Sequence, residues 1–119
     1  MSSHAYNRKW YSFLKDATSD FSNDVVLKST WFMDLHIEVL GNNKVSVAHY
    51  YEQNWDLVPD PDIVFKLDNW SATPISFRSQ FCDYDISDIR NQMQLKRALG
   101  LEKFTRIWFR NLKAQKFIN

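Results

Sequence analysis

Three carboxylates fall close together in the segment Asp56-Leu57-Val58-Pro59-Asp60-Pro61-Asp62. Oxygen donors at that density invite a hard cation, since Ca²⁺ and Mg²⁺ take carboxylate ligands. Asp60 and Asp62 would point the same way in an extended chain. No glycine is present to fold the segment around an ion, however, and the spacing departs from the calcium-loop pattern. Pro59 and Pro61 stiffen it into an extended lead-in to the strand that follows, and Asp beside Pro commonly caps turns. The second chemistry to weigh is a metal-dependent nuclease, because Pro61-Asp62 opens a strand-like run. Such a site needs a further acid and a lysine on an adjoining strand. The nearest triplet, Gln94-Leu95-Lys96, carries Gln in place of the acid and reads as helix. The segment therefore reads as structural or partner-contacting, and no metal or cofactor is expected.

The remaining candidates for chemistry are sparse. His4, His36 and His49 do not form a metal-ligand spacing. His49 sits among apolar alternating positions and reads as a core histidine. Cys82, the single cysteine, has Asp83 beside it and no basic neighbour to favour a thiolate. No phosphate-binding glycine loop, zinc pattern or nucleophile elbow occurs. A basic C-terminal stretch with Arg106, Arg110, Lys113 and Lys116 supplies an alternative, nucleic-acid contact. Phe104 and Trp108 fall on its buried stripe, which leaves Phe109 and Phe117 uncommitted.

These residues are positioned by elements that the periodicity outlines. Tyr6, Trp10, Phe13, Leu14 and Ala17 form one helical stripe, with Ser2 or Ser3 as its cap. The cluster 18–24 ends it. A short strand is open over 25–28. Trp31, Met33, Leu35, Ile37 and Val39 then share one strand face, with Asp34, His36 and Glu38 on the other. Gly41-Asn42-Asn43 is a turn, and Val45, Val47, His49 and Tyr51 share a face of the next strand. Apolar faces must coincide, so odd positions pair with odd, setting Ile37 opposite Val47 and Leu35 opposite His49. Ile63, Phe65 and Leu67 alternate in a third strand. Residues 69–73 read as a turn, and Pro74 opens a fourth strand with Ile75, Phe77, Ser79 and Phe81 on one face. Ser87 reads as an N-cap, residues 86–99 are open between helix and strand, and Gly100 reads as a helix stop. The last helix spans about 101–115, burying Leu101, Phe104, Trp108 and Leu112.

The expected fold is α+β: one domain over 1–119, with an antiparallel sheet of about four strands flanked by an N-terminal and a C-terminal helix. With 119 residues, 45% hydrophobic and 16% aromatic, the chain can bury a sizeable core. Its charges are segregated: balanced over 1–49, −5 over 50–90 and +6 over 91–119. One cysteine and the lack of a long apolar run point to a cytoplasmic protein with no membrane segment.

The segment from Ala48 through His49-Tyr50-Tyr51-Glu52-Gln53-Asn54-Trp55-Asp56-Leu57 to Ile63 resembles a family of small uncharacterised proteins of bacteria, phages and conjugative elements. Their signature runs roughly His-Tyr-x-x-Gln-Asn-Gly-Asp-Leu-x-x-Asp-Pro-Asp/Glu-x-x-Phe. Trp108-Phe109-Arg110-Asn111-Leu112-Lys113-Ala114-Gln115-Lys116-Phe117 resembles that family's ending, Trp-x-x-Asn-x-x-x-Gln-Gly-Phe. Trp55 and Lys116 stand where the family tends to have Gly, so the backbone at Trp55 is expected to avoid positive φ and to expose a large ring. The resemblance implies no reaction. It implies a setting, mobile elements, in which small proteins bind and block host defence enzymes. A non-enzymatic binding protein is expected, with a host protein as partner, narrowed to an inhibitor of a defence nuclease such as a CRISPR effector. Asp56, Asp60 and Asp62 would mimic phosphate, Trp55 would anchor, and Tyr50 and Glu52 would assist.

Overall fold

The structure, a computed structural model, describes residues 4–119. The cap positions Ser2 and Ser3 lie outside the described residues. The order is α1 (His4–Ala17), β1 (Val25–Leu27), β2 (Leu35–Gly41), β3 (Lys44–Gln53), β4 (Asp56–Asp68), β5 (Ser71–Arg78), β6 (Asp83–Asp85) and α2 (Gln92–Ala114). The α+β class holds, and the sheet is larger than expected: a six-stranded antiparallel meander in sequence order, not about four strands. No described helix is long and apolar enough to cross a membrane.

Both helices cover the sheet face formed by Leu35, Ile37, Val45, Val47, Ile63 and Phe65, and one hydrophobic cluster joins them. Trp10 is its centre. It is fully buried, with ring centroids 4.7 Å from Phe65, 5.2 Å from Phe109 and 5.6 Å from Trp108. Rings at these separations and tilts attract one another beyond the area they bury.

The odd-with-odd register is present: Ile37 pairs with Val47 and Leu35 with His49. It is reached by combining a two-residue turn with a bulge. Asn42 and Asn43 both hold left-handed backbone (φ 52° and 58°), the geometry that matches strand twist in a tight hairpin. A register shift between Val39 and Gly41 then returns the apolar positions to one face.

Four expected boundaries are corrected. Strand β2 starts at Leu35, so Trp31 and Met33 lie in the preceding connection, where Trp31 turns the chain at φ 75°. Only Asn69 and Trp70 form the β4–β5 turn; Ser71 to Thr73 already pair in β5, and Pro74 lies inside that strand beside a register shift. Strand β5 ends at Arg78, and Phe81 stands on a tight turn closed by Ser79 N–H donating to the Cys82 carbonyl at 2.9 Å. Helix α2 starts much earlier than expected, at Gln92, and runs through Gly100. Asn91 is its cap, accepting from the Gln94 N–H at 2.9 Å, while Ser87 donates its N–H to Asp85 in a local turn.

Candidate interaction surface

The acidic segment forms half of a protruding ribbon. The last β3 residue paired to β2 is His49, and β4 pairs with β5 only from Asp62 onward. Between them Tyr50 to Gln53 pair with Pro59 to Asp56 on their own, beyond both neighbouring strands. Four residues at strand rise make an arm of about 14 Å. The expected stiff extended lead-in is thus a strand. Its prolines are tolerated because Pro59 and Pro61 lie beyond the end of β5, where a missing N–H breaks no bond to that neighbour. The Asp60–Pro61 peptide is cis, at the position where two β4 residues oppose the single His49.

At the tip, Asn54 and Trp55 hold φ 53° and 72°. The expectation that Trp55 avoids positive φ is overturned. A two-residue hairpin turn requires left-handed backbone at both positions, and that demand overrides the residue type. For a bulky residue this conformation costs about 1–2 kcal/mol. The Trp55 ring gains no intramolecular packing in return, being 98% exposed. Leu57 beside it is also largely exposed. A lone two-stranded ribbon is marginal, and Gln80 braces this one. The Tyr51 hydroxyl donates to Gln80 Oε1, and Gln80 Nε2 donates to Gln53 Oε1 at 3.2 Å.

The candidate acids separate into two groups. Glu52, Asp56 and Asp60 are exposed on the arm. Asp62 is engaged inside the sheet: it accepts from Ser46 Oγ at 2.6 Å and from Arg78 Nη2 at 3.3 Å. Tyr50 lies on that same outer face, edge-on to His36 at 5.1 Å. Burial, and then the negative charges of Asp62 and Glu38, hold its phenol above the ordinary range, with Arg78 opposing. His36 and His49 lie on opposite faces. The buried His49 has Nδ1 3.0 Å from the Asp34 carbonyl and packs against Trp108 and Phe117.

The alternative basic surface loses its aromatics. Arg110, Lys113 and Lys116 are exposed and Arg106 is half-buried, but Phe109 and Phe117 are both core residues. Phe104, expected in the core, sits at the rim, half-exposed against Phe77 and Trp108. Neither Phe109 nor Phe117 is therefore available on the basic face for bases to stack on. Lys116 is the residue just past the end of α2. Its φ is 73°, its N–H donates to Lys113 O at 3.1 Å, and Phe117 N–H donates to Leu112 O at 3.0 Å, a Schellman closure. The triplet Gln94-Leu95-Lys96 lies in the first two turns of α2, where Gln94 Oε1 accepts from the Arg90 N–H at 2.6 Å.

Two features were not visible in the sequence. An open cleft of about 650 Å³ lies between α1 and the end of α2, with Arg8, Phe13, Lys113 and Phe117 among its lining. It joins residues roughly a hundred positions apart, which no local pattern links. Trp31 and Phe81 are the other, being 93% and 89% exposed. Strand alternation had assigned both to covered faces.

The fold and this surface define a small α+β domain: a meander covered on one face by two helices, with an acidic, tryptophan-tipped arm projecting from it. The chain belongs to a family described as a domain of unknown function, DUF6908, which matches residues 10–118. No curated protein and no solved structure matches the chain.

Proposed function

We propose that the chain is a non-enzymatic binding protein that docks on a basic surface of a partner protein through the β3–β4 arm. The observation that carries this reading is the arm itself. A ribbon projects past both neighbouring strands and ends in a tryptophan that contributes nothing to the core. An aromatic anchor among carboxylates is the composition of an interface hot spot with electrostatic steering. Within this reading the partner is a nuclease of host defence and the setting a phage or other mobile element. Enzymes that hold nucleic acid present Lys/Arg clefts to phosphate, and Glu52, Asp56 and Asp60 supply the matching charge.

Capture from cells that encode the chain tests this, comparing the tagged chain with Trp55→Ala and with Asp60→Lys. Trp55→Ala should lower recovery of the partner by about thirtyfold, the equivalent of roughly 2 kcal/mol. Asp60→Lys should slow association, with an effect that fades in high salt. Equal recovery by all three proteins, or salt-sensitive binding to plain DNA instead, would sink the reading.

A further inference from the structure

In a six-stranded meander alternate connections emerge at the same end, so the β1–β2, β3–β4 and β5–β6 connections share one end of the sheet. Each carries an aromatic ring standing almost wholly in water: Trp31, Trp55 and Phe81. The opposite end differs. Its exposed tryptophan, Trp70, is held edge-on to Tyr11 at 5.6 Å and lies under Lys15 Nζ at 4.7 Å. The connections at the arm end are themselves fastened. Ser29 Oγ donates to the Gln115 carbonyl at the end of α2, and Gln80 ties the β5–β6 turn to the arm. The rings are therefore presented from built positions.

Charge at this end narrows the occupant. Glu52, Asp56, Asp60 and Asp83 take part in none of the ion pairs among the described residues. Of the cations on these strands and connections, Lys28 and Arg78 are already matched with Asp34 and Asp62, and Lys44 and Lys66 face each other across β3 and β4 at the opposite end. An anionic bilayer and nucleic acid are both repelled by such a surface. The outer connections lie about four strand spacings apart, or roughly 19 Å, which is too wide for a small molecule and suits a protein face.

Resting on the reading of the arm given above, we propose that Trp31, Trp55 and Phe81 form one composite docking surface. They seat in three apolar depressions of a single protein partner whose intervening surface carries Lys and Arg. Docking is end-on, so the helices and the outer sheet face stay free.

Photocrosslinking in the encoding cell tests this with the full chain, using the substitutions Trp31→benzoylphenylalanine, Trp55→benzoylphenylalanine, Phe81→benzoylphenylalanine and, as the control at the far end, Trp70→benzoylphenylalanine. Positions 31, 55 and 81 should give adducts with one and the same protein, and position 70 none. Trp31→Ala and Phe81→Ala should each lower the adduct yield at position 55 by about tenfold. An adduct at 55 alone, unchanged by Trp31→Ala and Phe81→Ala, would overturn the composite surface and leave the arm reading standing. No adduct at any position would overturn both. An adduct of the chain with itself, or cosedimentation with phosphatidylglycerol vesicles that Trp31→Ala abolishes, would show a second copy or a membrane as the occupant and overturn the proposal.

Discussion

The indole Nε1 of Trp10 donates to the carbonyl of Thr105 at 3.1 Å, tying α1 to α2 inside the core. Packing and polarity can be separated at this residue. Trp10→Ala should cost about 3–5 kcal/mol through the cavity it leaves. Trp10→Phe keeps much of the packing and forfeits the hydrogen bond, and should cost roughly 1–3 kcal/mol. Urea unfolding of the two variants checks the order. Equal losses would mean that the hydrogen bond, and not the cavity, sets the cost, and no loss in Trp10→Phe would mean that the hydrogen bond contributes little.

Gly100 lies within α2 on its exposed side, and a Cβ there meets nothing within 4 Å. Gly100→Ala should therefore stabilise the protein by about 0.5–1 kcal/mol, by removing backbone freedom from the unfolded chain. A higher melting temperature with unchanged circular dichroism is the expected result.

Trp55 and Lys116 share a conformation, φ 72° and 73°, in the left-handed region that favours glycine. The cost of left-handed backbone, about 1–2 kcal/mol, exceeds glycine's entropic penalty of about 0.5–1 kcal/mol. Trp55→Gly and Lys116→Gly should each raise stability by roughly 0.5–1 kcal/mol. The sites are distant, so the double variant should be additive in denaturant unfolding.

Tyr50 and Tyr84 titrate late. Burial is the leading cause at both, and it raises each phenol above the ordinary value of 10.0. A raised pKa contributes stability that is fully present below pH 10 and is lost as pH climbs through the folded-state value. Absorbance titration should show a late-ionising class of tyrosines. Tyr50→Phe should remove part of it and lessen the alkaline fall in stability.

What the sequence made legible follows from what each pattern encodes. The pairings of Ile37 with Val47 and Leu35 with His49 were readable because one sheet face is buried, and a slip would expose every apolar side chain. The turn at Asn54-Trp55 was not. The usual signal is Asn-Gly, and a tryptophan in the glycine position hides it. Helix α2 was cut at Gly100 because glycine commonly ends helices, yet packing of Ala98, Leu101 and Thr105 carries the helix through. Phe104 moved to the rim and the uncommitted Phe109 went to the core because the buried arc of α2 is centred nearer Thr105 than a single stripe implies. The acidic site was readable as composition, but its projection was not. Protrusion depends on where the neighbouring strands stop, and Trp31 and Phe81 join it only through the meander.

The central claim is that Trp55 serves an interface and not the fold. Its direct test is the melting temperature of Trp55→Ala measured alongside partner capture by the same protein. The account predicts melting within a few degrees of the parent, because no packing is lost and alanine keeps the Cβ that makes left-handed backbone costly. Capture should fall by about thirtyfold. A strong loss of stability with capture intact would make Trp55 a structural residue and contradict the account.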